Sequence, residues 1–369
     1  MRMRTIGALL CCQVLLWPAA LLRAQDAPAP QALPEPAAAA VRAFQQEHKI
    51  PGLSVAIAQG NAAQDGAVVF AQGFGLADLE NDVAASADTV YRLGSISKPV
   101  TAVAALQLVE RSKLQLDADV RTYVPEFPAK PWPVSLRQLL GHLGGVRHYQ
   151  RGESESTEHF DTQRAGLARF AGDPLLHEPG TKYFYSTYGF NLVAAAVEAA
   201  DGRPFAAVVK DIAARAGAPT LQDDDVRRLI RHRAQGYIVR GEALENSALM
   251  DGSYKLGGGG LCSSAPDLAR FGLALLDGRL LGADALRTMT TEQKTAAGEG
   301  VGYGCGLRVG ERHGRREYQH GGAQSRVSTV LVMWPEPRAV AVVMCNLEGV
   351  RPLPLAQQLL DSLVAPVPR

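Results

Sequence analysis

Strands are predicted near both ends of the chain by runs of apolar residues. Residues 53–58, LSVAIA, and residues 67–78, AVVFAQGFGLAD, predict two strands joined by a turn that contains glycine and asparagine. From about residue 302, the segments YGCGLRVG, REYQHGGAQSRVSTVLVMWPE and AVAVVMCNLE predict three consecutive strands. Together they predict one antiparallel sheet of five or more strands, built by both ends of the chain.

Helices are predicted between these two groups of strands. Residues 113–200 show helices separated by loops, and residues 263–278, SSAPDLARFGLALLDG, show another helix with Asp267 in its first turn. A final helix is predicted at 352–364. The fold class is therefore α+β, a sheet flanked by helices with an inserted, mainly helical lobe. The cleft between lobe and sheet is the expected functional site.

The start of the chain matches a secretory signal peptide over residues 1–24. Arg2 and Arg4 precede an apolar run at 6–22, and cleavage is predicted after the small residue Ala24. One alternative is an uncleaved membrane anchor, although the run is shorter than the ~20 residues that a spanning helix needs. A lipoprotein is another. We expect an exported protein, periplasmic or secreted.

The rest of the chain is close to neutral in charge. Without residues 1–24 and their three arginines, 35 basic residues face 37 acidic ones, a net charge of −2. This balance argues against a nucleic-acid partner. Residues 25–40 are rich in proline and alanine and predict a linker. The rest of the chain is long enough to bury a large core as one two-lobed domain or two interleaved ones.

The cysteines and histidines predict neither a disulfide framework nor a metal site. Cys262, Cys305 and Cys345 leave at least one thiol free in a monomer and are not at metal-ligand spacing. His142 and His148 flank a glycine pair, but no other ligand type stands beside them at a suitable spacing. A position in a lid or on the surface is predicted for both histidines.

A glycine run at 257–260 is another segment that could form a ligand site. It lacks the lysine and the serine or threonine of a phosphate-binding loop, so no nucleotide site is predicted. We interpret it as a flexible turn beside the cleft. No Gly-x-Ser-x-Gly nucleophile elbow occurs in the sequence.

A serine and a lysine stand one helical turn apart at the start of an apolar helix. In YRLGSISKPVTAVAALQLVE, residues 91–110, Ser95 and Lys98 share a face. Pro99 lacks an amide hydrogen and so places the helix start near Ser95. A buried, unpaired lysine is costly. The pair is explained if desolvated Lys98 takes the proton of Ser95 and makes that hydroxyl a nucleophile. The alternative is a solvated lysine beside an N-cap serine.

This pair belongs to a set of segments that resembles a known family. The order of the segments is that of the serine beta-lactamase-like and D-alanyl-D-alanine carboxypeptidase superfamily, most closely the branch containing the mitochondrial beta-lactamase-like protein. The resemblance runs from about 40 to 365. It implies a beta-lactamase/transpeptidase-like fold and a serine hydrolase domain at 41–366, with Ser95 acylated and Lys98 as its base. The segments are YRLGSISKPVTA, KLQLDADVRTYVPEFP, SLRQLLGHLGGVRHY, EPGTKYFYSTYGFNLVAAAVE, GGGGLCSSAPDLARF and YQHGG.

The second family motif, Tyr-x-Asn, falls on Tyr185, Ser186 and Thr187. The resemblance implies that Tyr185 shuttles a proton between nucleophile and leaving group. This role needs a phenolate or a strongly coupled hydroxyl, because an isolated tyrosine titrates near ~10. Thr187, a substrate-binding position, departs from the family Asn and loses an amide donor. The alternative for Tyr185 is aromatic packing.

The third motif, on a strand edge, falls on His320, Gly321 and Gly322. The resemblance implies that these residues contact substrate and that the glycines let its backbone approach closely. His320 stands where lysine is commoner in the family. This indicates a site that is less specific for a substrate carboxylate at a fixed position. The alternative for His320 is a polar residue in a hairpin. The backbone amides of Ser95 and Ala323 are implied to form an oxyanion hole.

These expectations predict an exported serine hydrolase that works by covalent acyl transfer without a metal or an organic cofactor. Its partner is a small-molecule or peptide substrate, and its oligomeric state stays open. The family covers D-alanyl-D-alanine carboxypeptidase, peptidase, esterase and weak beta-lactamase activities, and fold alone does not choose among them. Thr187 and His320 favour a peptidase or esterase. The alternatives are a penicillin-recognising binding or sensing protein with little turnover and, by analogy with the mitochondrial relative, a filament-forming protein.

Overall fold

The first helix begins inside the segment predicted as a linker. The computed structural model describes residues 29–61 and 64–364, so the predicted signal peptide lies outside the described residues. The helix begins at Glu35. Alanine favours the helical conformation, and Ala38 is buried in an apolar cluster with strands of the sheet. The linker prediction is therefore corrected for the residues from Glu35 onward.

The described residues form helices mainly in the middle of the chain and strands mainly near its two ends. The helices are α1 (Glu35–Glu47), α2 (Ser97–Glu110), α3 (Leu136–Leu140), α4 (Gln163–Gly166), α5 (Thr187–Asp201), α6 (Phe205–Ala216), α7 (Leu256–Gly259), α8 (Ala265–Leu276), α9 (Ala283–Thr290) and α10 (Leu353–Leu363). The strands are β1 (Gly52–Asn61), β2 (Gln64–Asp78), β3 (Val83–Ala84), β4 (Val90–Arg92), β5 (Gln222–Asp223), β6 (Tyr237–Arg240), β7 (Ala243–Asn246), β8 (Leu261–Ser264), β9 (Arg308–Arg312), β10 (Arg315–Gln324), β11 (Val327–Trp334) and β12 (Ala339–Cys345).

Seven of these strands form one antiparallel sheet in the order β3-β2-β1-β12-β11-β10-β9. At its centre, β1 from the start of the chain pairs with β12 from the end, and Leu53 lies opposite Cys345. The predicted antiparallel sheet built from both chain ends is confirmed, and so is the α+β fold class. Two smaller sheets, β4-β8-β5 and β6-β7, come from the inserted part of the chain.

One of the three strands predicted near the end of the chain is in fact a hairpin. The segment REYQHGGAQSRVSTVLVMWPE turns at Ser325 and Arg326, and β10 pairs with β11 from Gln324 opposite Val327. Arg326 has a φ of 80°, a conformation that glycine and asparagine usually supply. The prediction of a single strand is wrong because no such residue marks the turn.

The central strands are buried on both faces. In β12, Ala341 and Val343 contact a cluster that includes residues of α1 and α10. Val340 and Val342 contact a second cluster that includes α2, α5 and α8. This alternation with a period of two explains why a strand covered on both faces is a continuous apolar run in the sequence.

Helix α2 lies in the interior of the lobe. All residues from 97 to 108 are buried, and a 3-10 turn at Gly94–Ile96, here called the 94–96 turn, precedes the helix. This part of the chain packs on β10. A Cβ added to Gly322 would lie 2.0 Å from the carbonyl oxygen of Leu93 and 2.3 Å from Thr329 Oγ1. Only glycine therefore permits the contact.

Two further findings bear on the sequence predictions. Within residues 29–61 and 64–364, no helix is long and apolar enough to cross a membrane. Cys262, Cys305 and Cys345 are buried free thiols. The described cysteines therefore form no disulfide, in keeping with the prediction that disulfides are not the framework of the fold.

The contact between β10 and Leu93 predicts a strong effect of one added methyl group. Gly322→Ala should lower the free energy of unfolding by about 1–3 kcal/mol, because overpacking forces the backbones apart. Gly310→Ala, in the same sheet with no atom within 4 Å of the new Cβ, is the matched control and should change stability little. Chemical denaturation measures both. Equal stability of the two variants would contradict the tight contact at Gly322.

Candidate active site

A cleft of about 370 Å³ opens between β10 and the helical lobe. Ser95, Thr187, Gly258 and Ala323 are among its lining residues. They come from the 94–96 turn, the start of α5, the glycine turn α7 and the end of β10. Tertiary packing thus gathers four distant segments at the position that the sequence predicts for the site.

The Lys98 amine lies beside the Ser95 hydroxyl. Its Nζ is 3.0 Å from Ser95 Oγ, 3.2 Å from Thr187 Oγ1 and 2.7 Å from the carbonyl oxygen of Gly258. Lys98 is fully buried, and no carboxylate of the described residues lies within ion-pair distance of its amine. The alternative of a solvated lysine is therefore wrong.

Burial lowers the pKa of Lys98 well below its usual range, and the positive charge of Lys255 lowers it further. Desolvation without a counter-ion disfavours an ammonium and favours the neutral amine. A neutral amine has two N–H donors and one lone pair. If the donors serve the Gly258 carbonyl and the Thr187 hydroxyl, the lone pair faces Ser95 Oγ and can accept its proton.

The glycine run at 257–260 is a packed helical turn, which corrects the prediction of a flexible one. Its first three glycines belong to α7 and are buried. A Cβ added to Gly258 would lie 2.3 Å from Thr187 Cγ2. Because that Cβ is missing, α7 contacts the start of α5, and the Gly258 carbonyl reaches the amine of Lys98.

Tyr185 contacts both members of the Ser-Lys pair. The centre of its ring lies 4.8 Å from Lys98 Nζ. Burial raises the pKa of Tyr185, and a polar interaction of its hydroxyl with Ser95 opposes this only in part. The resting side chain is therefore a neutral phenol coupled to Ser95 and not a phenolate.

His142 and His148 hold the start of α5, which corrects the predicted lid or surface positions. The amide of Ser186 donates to His142 Nδ1, and the amide of Thr187 donates to His148 Nδ1, each at 3.1 Å. Amides at a helix start have no partner within the helix, so the two rings satisfy both. They also fix the backbone segment that carries Tyr185.

Both histidines are neutral under physiological conditions. Burial lowers the pKa of His142 well below its usual range, and Lys98, when protonated, lowers it further. The same causes, with Lys255 as a third, lower the pKa of His148 to about 4. The rings can therefore act as acceptors without adding positive charge beside Lys98.

The free edge of β10 supplies an amide beside Ser95. Strand β9 pairs with β10 only as far as Gln319, so none of the described strands pairs with this edge at Ala323. The hairpin register makes Ala323 part of a non-hydrogen-bonded pair, and its amide therefore points away from β11. A Cβ added to Gly94 would lie 3.0 Å from the Ala323 nitrogen. The Ala323 amide therefore lies beside Gly94, the residue directly before Ser95.

His320 and Gly322 are buried and are not among the residues that line the cleft, and their predicted contact with substrate stays a prediction. His320 is 3% exposed, and its Nε2 lies 2.9 Å from Tyr303 Oη. Burial, followed by the charge that Lys98 carries when it is protonated, lowers the pKa of His320 to about 3. Gly322 is buried against Leu93. Gly321, by contrast, is exposed.

Lys255 is a second lysine of the cleft, and the sequence analysis missed it. The residue is 1% exposed and lines the same cleft as Ser95. Burial, followed by the charges of Arg92 and Arg169, lowers the pKa of Lys255 to about 7. Its position two residues before the first glycine of the run, in SYKLGGGG, is the signal that was available.

Comparison with known proteins gives consistent matches. Residues 37–364 match the protein family described as Beta-lactamase. The serine beta-lactamase-like protein LACTB, mitochondrial, of Homo sapiens is 30% identical over 302 residues, which cover 63% of this chain and 54% of the relative. The esterase EstB of Burkholderia gladioli is 34% identical over 171 residues, which cover 42% of this chain and 43% of the relative. The chain spans about half the length of these relatives or less.

A solved structure extends the likeness to the fold. The octameric penicillin-binding protein homologue from Pyrococcus abyssi is similar with a TM-score of 0.77 and 25% identity. The match covers 89% of this chain and 77% of that one. The predicted beta-lactamase/transpeptidase-like fold is therefore confirmed.

The lowered pKa of Lys98 predicts that Ser95 reacts quickly at neutral pH. The rate of Ser95 labelling by a fluorophosphonate should change little between pH 8 and pH 10. A base with an ordinary lysine pKa would instead gain on the order of fiftyfold over that interval. A rate that keeps climbing to pH 10 would contradict a neutral, desolvated Lys98.

Lys255→Met extends the same experiment. It removes a positive charge that lowers the pKa of Lys98, so the pH below which labelling slows should move upward. Lys113→Met, which alters an exposed lysine, is the matched control and should leave the profile in place.

Proposed function

Because the chain belongs to the beta-lactamase family of serine hydrolases, we propose that it is an exported hydrolase that transfers acyl groups from peptide, amide or ester substrates through Ser95 to water. One observation carries the proposal. The fully buried amine of Lys98 lies 3.0 Å from the Ser95 hydroxyl without a carboxylate partner among the described residues. A lysine with a purely structural role would find an acidic partner or reach solvent.

In the first step, Ser95 Oγ attacks the carbonyl carbon of the substrate and forms a C–O bond. The hydroxyl proton moves to the Lys98 amine, whose lone pair faces it. The carbonyl π electrons move to oxygen and give a tetrahedral oxyanion. The amides of Ser95 and Ala323 can donate to that oxygen, because the 94–96 turn packs against β10 at this point.

In the second step, the leaving group departs with a proton and the acyl-enzyme remains. Tyr185 contacts both Ser95 and Lys98, so its hydroxyl can pass the proton from Lys98 to the leaving oxygen or nitrogen. A neutral phenol suits this relay, since it donates one proton while it accepts another. Water then attacks the acyl carbon through the same groups and releases the acid.

The groups that line the site favour a peptidase or esterase over an efficient beta-lactamase. Thr187 Oγ1 is bonded to Lys98, and the Thr187 methyl packs on Gly258, so this side chain serves the structure of the site. His320 is bonded to Tyr303. Neither Thr187 nor His320 offers substrate the fixed hydrogen-bond donor that the family Asn or Lys supplies. Esterase EstB is a relative whose name fits this preference.

Covalent labelling tests the proposed nucleophile and base. A fluorophosphonate or a beta-lactam should add one label per chain, on the peptide that contains Ser95. Ser95→Ala should abolish labelling, and Lys98→Ala should slow it severely without unfolding the protein. Labelling that persists in Ser95→Ala would overturn the proposal. A burst of one equivalent without steady-state turnover of p-nitrophenyl esters, D-amino-acid anilides or a chromogenic cephalosporin would support the binding or sensing alternative.

Tyr185→Phe separates proton delivery from nucleophilic attack. Turnover of esters and amides with poor leaving groups should fall by about a hundredfold, the usual contribution of a general acid-base group. Labelling by a fluorophosphonate should fall less, because its leaving group departs without a delivered proton. Equal losses in both assays would indicate that Tyr185 only packs against its neighbours.

Export is part of the proposal and rests on the N-terminal pattern alone. The arginines and the apolar run at 6–22 predict cleavage near Ala24. The intact mass of protein from the native host should therefore lack about two dozen residues, and fractionation should place it outside the cytoplasm. A full-length cytoplasmic product would contradict export and leave the hydrolase proposal untouched.

A further inference from the structure

Lys255 is a charged group of the cleft that the proposed acyl transfer does not use. It lines the cleft together with Ser95 and Ala323. A Cβ added to Gly259 would lie 3.8 Å from Lys255 Cδ and 3.8 Å from the carbonyl carbon of Gly94. One glycine thus separates the Lys255 side chain from the backbone beside Ser95, so a small substrate can contact both.

The surroundings of the Lys255 amine leave it without a counter-ion. Its Nζ donates to the carbonyl oxygen of Ser154 at 3.2 Å and lies 3.2 Å from Met250 Sδ. The rings of Tyr149 and Tyr254 lie within 5.5 Å. No carboxylate of the described residues is within ion-pair distance. Because an ammonium has three donors, one of them is left for a ligand.

We propose that Lys255 binds a carboxylate of the substrate while Ser95 attacks the carbonyl carbon, so that the enzyme prefers anionic esters or amides over neutral ones. The inference rests on the proposed function. It places recognition of an anionic group beside the glycine turn α7, whereas His320 is not among the residues that line the cleft. A charge-assisted hydrogen bond in a partly desolvated cleft is stronger than the same contact in water.

The charges around Lys255 support an anion as its missing partner. Burial, followed by Arg92 and Arg169, lowers the pKa of Lys255, whereas the charge of Glu155 raises it. An arriving carboxylate favours the protonated amine in the same way. Glu155 is exposed and also lines the cleft. It therefore competes with a substrate anion from the solvent side.

Matched substrate pairs test the inference. The esters p-nitrophenyl hydrogen adipate and p-nitrophenyl hexanoate differ in a carboxylate on the acyl side. The esters 3-carboxyphenyl butyrate and 3-carbamoylphenyl butyrate differ in a carboxylate on the leaving group. The measured quantity is the ratio of kcat/KM for the charged ester to kcat/KM for the neutral one. In Lys255→Met this ratio should fall by about tenfold or more for at least one pair, as expected for the loss of a charge-assisted hydrogen bond.

Two further variants test a change of the ratio in the opposite direction and the absence of a change. Glu155→Gln removes the competing carboxylate and should raise the ratio for the same pair. Lys113→Met changes a lysine that is exposed just after α2 and should leave the ratio unchanged. Equal ratios in the wild type and in Lys255→Met for both pairs would overturn the inference.

A binding measurement separates failure of this inference from failure of the proposed hydrolysis. Calorimetric titration of Ser95→Ala, which cannot be acylated there, should show tighter binding of adipic acid monoamide than of hexanamide. Lys255→Met in that background should remove the difference. If no ester is hydrolysed, this comparison still decides the role of Lys255. Equal binding of the two amides would overturn that role. The covalent labelling experiment tests Ser95 as the nucleophile independently.

Discussion

The site depends on an amine that is buried without a counter-ion. Lys98 lies near the start of a helix that is covered on all sides, and its polar neighbours are a hydroxyl pair and one carbonyl. An isolated ammonium there would cost several kcal/mol, so the neutral amine is favoured. The protein obtains a base by excluding water and acidic partners. The apolar packing of α2 is therefore part of the proposed chemistry as well as part of the core.

Missing side chains bring the parts of this site together. Gly322 lets Leu93 approach β10, and Gly258 lets α7 approach α5. Near the first contact, Gly94 lies beside the Ala323 nitrogen, and the second contact sets a carbonyl against the Lys98 amine. Each contact joins backbone to a neighbouring element at a distance that a Cβ would prevent. The same packing that closes the core thus positions donors and acceptors around one hydroxyl.

The remaining titratable groups near Lys98 are held neutral by the same burial. His142 and His148 accept amide hydrogens from the start of α5, and His320 is bonded to Tyr303. Because burial lowers the pKa of all three histidines, none adds positive charge at neutral pH. Among the described residues, Lys255 is the cation whose charge acts on Lys98. A substrate carboxylate at Lys255 would therefore also change the electrostatic environment of the base.

Several features of the fold and of the site follow from local spacing along the chain. Apolar runs marked the strands of the two chain ends, and the three-residue spacing of Ser95 and Lys98 predicted that their side chains face the same way. Which glycines face protein, why His142 and His148 matter, and that Lys255 opens onto the cleft became clear only in the folded protein. Those features rest on contacts between distant residues, such as Thr187 and His148, 39 positions apart, and Lys98 and Gly258, 160 positions apart. No local pattern encodes such contacts, because they arise when the lobe packs against the sheet.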